Sequence, residues 1–203
     1  MKQRLYGLLF SVALSLIVLF IFFGKVIKDP GNIFFSTSGD GLKAYYTALY
    51  HVKYDKENFR SDGMNYPFRE SLSFTDAQIP VINTIRFIST QFADISDHTV
   101  AIINLLMLFS IVAGAGFLCL ILMETEVSWW YAALVSVAIA FLSPQVDRLG
   151  GHFSLAWVCW IPLMSWLIIR FDRSRLLLYS VMMGIVTWLA GLMHFYYLGF
   201  FGF

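Results

Sequence analysis

Long apolar blocks separated by short polar clips make up most of the chain. The blocks are Leu5–Phe23, Val100–Met123, Val127–Leu142, Phe153–Ile169 and Leu176 to about Phe195. A helix that crosses a bilayer needs about 20 largely apolar residues, because the hydrocarbon core is ~30 Å thick and each residue rises ~1.5 Å. The pattern predicts five transmembrane helices. The third and fourth blocks are short, but Trp129, Trp130 and Tyr131 flank one, and Phe153 and Trp157 the other. Such rings favour the headgroup level.

Residues 25–99 break this pattern. Seventeen of the 27 charged side chains fall between Lys25 and Asp97, and no apolar run there is long enough to span. Ser36-Thr-Ser-Gly-Asp-Gly41 is turn chemistry suited to a helix start. Leu42, Tyr45, Tyr46, Leu49, Tyr50 and Val52 then recur every three or four residues, which predicts an amphipathic helix lying on the membrane surface. After a second turn, Ser61–Phe68, the residues Ile79, Ile82, Ile85, Ile88 and Phe92 predict another helix. It begins between Thr75 and Pro80, with Thr75-x-x-Gln78 as a capping box.

Composition narrows the class. The chain is 59% apolar and 13% charged, with mean hydropathy +0.71. A soluble domain is near 45–50% apolar and about 25% charged, so a water-soluble fold is excluded, and disorder with it. A net charge of +1 gives no basic face, so no nucleic acid partner is expected. Cys119 and Cys159 lie in apolar runs and suggest neither a disulfide framework nor a metal site. The expected fold is an all-α polytopic membrane protein in which residues 1–203 form a single transmembrane domain.

Charge also orients the chain. Lys2 and Arg4, with the clip Arg170–Arg175, fall on one side of five alternating spans, and positive-inside counting makes that side cytoplasmic. The first block lacks a small-x-small cleavage site and reads as an anchor. Loop 25–99 and the clip Ser143–His152 are then outside, and Glu124-Thr-Glu126 is inside. The sequence stops within the apolar stretch Leu192–Phe203, as expected of the first part of a longer protein.

Few residues are placed to carry chemistry. Asp40 sits between two glycines and reads either as a base or as the N-cap of the following helix. Asp147, Arg148 and His152 lie within six residues, with two glycines before His152. They form either a polar connector or, with a helix starting at Phe153, an anion site. His194, at the outer end of the fifth block, is a functional candidate or an interhelical hydrogen bonder. Asp76 reads as the first turn of its helix. Tyr45, Tyr46 and Tyr66 are sugar-stacking candidates or interfacial anchors. No phosphate-binding Gly-rich loop, His-Glu-x-x-His, Gly-x-Ser-x-Gly or Asp-x-Asp occurs. No cofactor is indicated, and a divalent metal is possible without being demanded.

Four strings carry a resemblance: Gly39-Asp40-Gly41-Leu42-Lys43-x-Tyr45-Tyr46, Asn65-Tyr66-Pro67, Thr75-Asp76, and Arg148-x-Gly150-Gly151-His152-Phe153-Ser154-Leu155. With the order of spans and outer loop, they resemble the GT-C superfamily of integral-membrane glycosyltransferases, in its bacterial branch. That resemblance implies transfer of a sugar from a polyprenyl-phosphate carrier to a glycan, lipid or protein acceptor at the outer face of the cytoplasmic (inner) membrane. It implies Asp40 as the catalytic acid of the first outer loop, with Asp147 as a second. Arg148, His152 and His194 would then meet the phosphate, and Tyr45 and Tyr66 the sugar. An O-antigen polymerase or ligase uses similar donors. A transporter or flippase would carry ionisable residues at mid-membrane, which the first four spans lack, and a scaffold would tolerate loss of Asp40, Arg148 and His152.

The orientation is directly testable. A cysteine placed within residues 54–64 should react with an impermeant thiol reagent applied to intact cells, and one at Ser174 should not. The reverse labelling pattern would overturn the assigned sides.

Overall fold

The structure, a computed structural model, describes residues 2–202. It is predominantly helical: α1 Lys2–Lys28, α2 Gly39–Lys53, α3 Ile79–Gln91, α4 Thr99–Glu124, α5 Trp129–Phe141, α6 Pro144–Asp147, α7 Trp160–Ser174, α8 Leu177–Met193 and α9 Tyr196–Phe201. A two-residue antiparallel pair, β1 Arg60–Ser61 with β2 Glu70–Ser71, is a small departure from an all-α fold.

Four stretches are long and apolar enough to cross a membrane: Lys2–Lys28, Ser96–Glu124, Trp129–Gly150 and Phe153–Ser174. The fifth expected span, α8, has 17 residues, or about 26 Å of helix, and is shorter than these. Ile17, Ile21, Phe22, Phe109, Leu177 and Trp188 all point outward, as side chains facing lipid would. The protein is a helical membrane protein.

Three boundaries differ from the sequence pattern. Helix α1 runs past the end of its apolar block to Lys28, with non-helical backbone at Phe23 beside Gly24. Residues 153–155 form only a single 3₁₀ turn, and α7 starts at Trp160 with Pro162 in its first turn, where proline is tolerated. Helix α7 also absorbs Arg170–Ser174 and stops where Arg175 turns left-handed at φ 55°.

Within the chain, contacts group the residues into two compact units. The first comprises residues 1–24, 108–147 and 157–188. Its helices meet through small residues. Ser11 and Ser136 share a buried hydrogen bond of 3.1 Å, and a Cβ on Gly7 would lie 2.6 Å from Met123 Sδ. Such close approach is the usual basis of helix packing in membranes. The three segments assigned to the cytoplasm converge in this unit. Glu124, 8% exposed, is bonded by Arg4 at 3.0 Å and by Arg173, with Arg170 at 3.6 Å.

The second unit comprises residues 25–107, 148–156 and 189–203. Both expected loop helices are present there as α2 and α3. His51, fully buried on α2, meets Asp55 at 2.9 Å and Asn83 of α3 at 3.1 Å through its two ring nitrogens. The capping box does not form. Pro80 lies in the first turn of α3, which begins at Ile79 behind Gln78, so Thr75 is too early to cap and instead donates to the Leu72 carbonyl at 2.9 Å.

Asn104 of α4 organises this unit. Fully buried, it donates to the Pro30 and Ile33 carbonyls at 2.8 and 2.9 Å and accepts from the Tyr45 hydroxyl at 2.5 Å. Tyr45 also accepts from the Phe35 amide at 3.3 Å, and its ring packs edge-on against Phe153, with centroids 4.6 Å apart. Burial pushes the Tyr45 phenol up to about 12, so it remains a donor at neutral pH. Tyr45→Phe keeps the ring but removes the hydroxyl that donates to the buried Asn104 oxygen, and should cost about 1–3 kcal/mol. A thermal midpoint in detergent equal to wild type would show that the hydroxyl is dispensable.

Candidate functional site: a polar cavity in the loop unit

Within the second unit four chain segments enclose a cavity of about 400 Å³. Asp40 and Lys43 come from the first two turns of α2, and Phe74, Thr75 and Asp76 from the turn before α3. Arg148, His152 and Leu155 come from the loop between α6 and α7, and His194 and Tyr196 from the chain just after α8.

Glycines allow the first two loops to meet. Gly39 has φ +55°, which favours glycine. A Cβ on Gly41 would sit 2.4 Å from Ser36 Cβ and 3.4 Å from the Gly151 backbone. The start of α2 can therefore lie against the 148–156 loop, while Phe153 anchors that loop against Tyr45. Ser38 takes the N-cap position, so Asp40 is not the cap. It stands exposed in the first helical turn, a position that an acid stabilises by tenths of a kcal/mol, about 0.3–1.

The charges lining the cavity are unevenly paired. Lys43 is bonded to Glu70 at 3.2 Å. Neither the Asp40 carboxylate nor the Arg148 guanidinium has a hydrogen-bonding or ion-pair partner among the described residues. Asp76 is held by two histidines. Its Oδ2 accepts from His152 Nδ1 at 3.1 Å, and its Oδ1 lies 3.9 Å from His194 Nε2. That second distance is too long for a hydrogen bond, and Oδ1 is buried without one. The His194 ring stacks on Phe195, and its Nδ1 accepts from the Tyr196 amide at 3.2 Å. Burial lowers the pKa of His194, which lies beyond the end of α8. Among the described residues no group of three or more His, Cys, Asp or Glu side chains is disposed to hold a metal ion.

Four of the residues singled out in the sequence therefore share one cavity: Asp40, Arg148, His152 and His194. Asp147 is exposed in the other unit and does not line it. Tyr45 is buried beneath, with its hydroxyl committed to Asn104. Tyr66 is 92% exposed and belongs to a separate hollow with Tyr50, Asp62 and Arg69. The single 3₁₀ turn after His152 has too little aligned backbone to act as a helix terminus.

Asp76 is the residue that sequence reasoning passed over. Its signal was Pro80: a proline in the first helical turn starts α3 late and leaves Asp76 outside the helix, in a turn where both Asp76 and Gln78 have φ 55°. Left-handed backbone at non-glycine residues is uncommon and clusters at functional sites.

Comparison with known proteins gives a family but no activity. No curated protein and no solved structure gives a significant match. The family described as a domain of unknown function, DUF6311, matches residues 12–203, nearly the whole chain, and the protein belongs to it.

Proposed function

We propose that the cavity is the active site of a GT-C-type membrane glycosyltransferase, which moves a sugar from a polyprenyl-phosphate carrier to an acceptor hydroxyl at the outer face of the bacterial cytoplasmic membrane. The observation that carries this reading is a pair of opposite charges left free of protein partners among the described residues. Asp40 and Arg148, 108 positions apart in the chain, line one cavity without pairing to each other or to any other described residue. A carboxylate that accepts a proton and a guanidinium that receives a phosphate are the two groups that displacement at a phosphate-linked anomeric carbon requires. Positive-inside counting puts all four cavity-lining segments on the outer side, and the convergence of Arg4, Arg170 and Arg173 on Glu124 agrees with a common cytoplasmic side for those segments.

In this mechanism the acceptor oxygen attacks the anomeric carbon while Asp40 takes its proton. The bond from that carbon to the phosphate oxygen breaks, and its electron pair leaves with the lipid phosphate. The fork of Arg148 meets the growing charge in a geometry suited to two phosphate oxygens. The polyprenyl chain remains in the bilayer.

Asp40→Asn should keep the fold, because Ser38 and not Asp40 holds the cap position, while reducing turnover by roughly 10²–10⁴-fold. Wild-type turnover in that variant would remove Asp40 from the chemistry. Arg148→Lys keeps the charge but loses the fork, and should weaken use of the lipid-phosphate sugar less than Arg148→Ala does. Transfer rates at varied donor concentration would check the order, and equal kinetics for all three proteins would exclude Arg148 from the phosphate site.

A further inference from the structure

The Asp76–His152 contact does more than fill the wall of the cavity. His152 Nδ1 faces a carboxylate oxygen, so Nδ1 carries a proton and donates it. In the neutral ring the lone pair is then on Nε2, the other nitrogen of a side chain that lines the cavity. His194 presents the opposite arrangement. Its Nδ1 accepts a backbone amide, which leaves the Nε2 proton on the side of Asp76. Asp76 thus sits between two imidazoles, on left-handed backbone, with one buried oxygen unbonded. The charged and titratable groups that line the cavity with His152 are Asp76 from the turn before α3, His194 and Tyr196 from beyond α8, Arg148 from its own loop, and Asp40 and Lys43 from α2.

We propose that Asp76 is a positioning residue that holds His152 by Nδ1 so that Nε2 faces the ligand's phosphate, and that binding of the phosphate draws a proton onto Nε2. A phosphate oxygen carries no proton to give, so a lone pair opposite it would repel. A proton taken from water turns Nε2 into a donor, and the resulting imidazolium lies between two anions, the Asp76 carboxylate and the phosphate. No covalent bond to carbon or phosphorus changes in this step. Only in taking a lipid-linked phosphate as the ligand does this rest on the transferase reading.

Binding of a polyprenyl-phosphoryl sugar to the protein in nanodiscs, followed from about pH 6 to 9, tests it, because the phosphodiester stays singly charged throughout while a histidine titrates. The dissociation constant should rise about tenfold per pH unit once His152 loses its proton in the free protein. His152→Gln should bind more weakly and lose that slope. In Asp76→Ala, which leaves no acceptor for Nδ1, ¹⁵N spectra should show the neutral His152 proton moved from Nδ1 to Nε2, with weaker binding. A flat pH dependence in the wild type, or an unchanged tautomer in folded Asp76→Ala, would overturn the proposal. Sugar transfer accompanied by pH-independent binding would sink this inference and leave the transferase standing. Proton-coupled binding with no transfer to any acceptor would do the reverse.

Discussion

A single buried asparagine in an apolar helix fixes the geometry of the loop unit. Asn104 uses its amide group on the chain at Pro30 and Ile33 and its oxygen on the Tyr45 hydroxyl. Within the hydrocarbon-like interior of a membrane protein an unpaired amide is costly, and satisfying it leaves little freedom to the partners. Tyr45 fixes α2, and α2 carries Asp40 and Lys43. The far side of Tyr45 packs on Phe153, which anchors the loop that carries Arg148 and His152. Two walls of the cavity are thus set from one hub. The third wall, at Asp76, comes from a turn whose left-handed backbone is held in place by the late start of α3 and the buried Gln78.

The site divides into a committed part and an uncommitted part. Lys43 is paired with Glu70 and Asp76 is engaged by His152, so these groups shape the cavity. Asp40 and Arg148 are left without partners among the described residues, which is the condition expected of groups reserved for a ligand.

Much of this was legible in the sequence, and the failures have physical causes. The spacing of Tyr45, Tyr46, Leu49 and Val52 correctly gave a helix, because one apolar face of period 3.6 leaves a clear trace. It also assigned that face to the membrane surface, whereas Tyr45 and Val52 are buried in the protein core, because a period of 3.6 does not tell what covers an apolar face. Apolar runs placed the spans but missed the start of α7, because residues 153–159 are apolar without being α-helical. Asp76 was hidden by a motif that looked like a cap, when Pro80 had already moved the start of the helix. Charge counting put Arg4, Arg170, Arg173 and Glu124 on one side but gave no sign that the three arginines meet on that acid.

Photo-crosslinking the wild-type protein with a photoreactive polyprenyl-phosphoryl sugar, followed by peptide mapping, tests the assignment of the cavity most directly. Glycosyl transfer at this site predicts label in the 39–46 and 148–155 segments, competed by unmodified donor and absent with a polyprenol that lacks the phosphate. Label confined to other segments, or equal label with and without the phosphate, would contradict it.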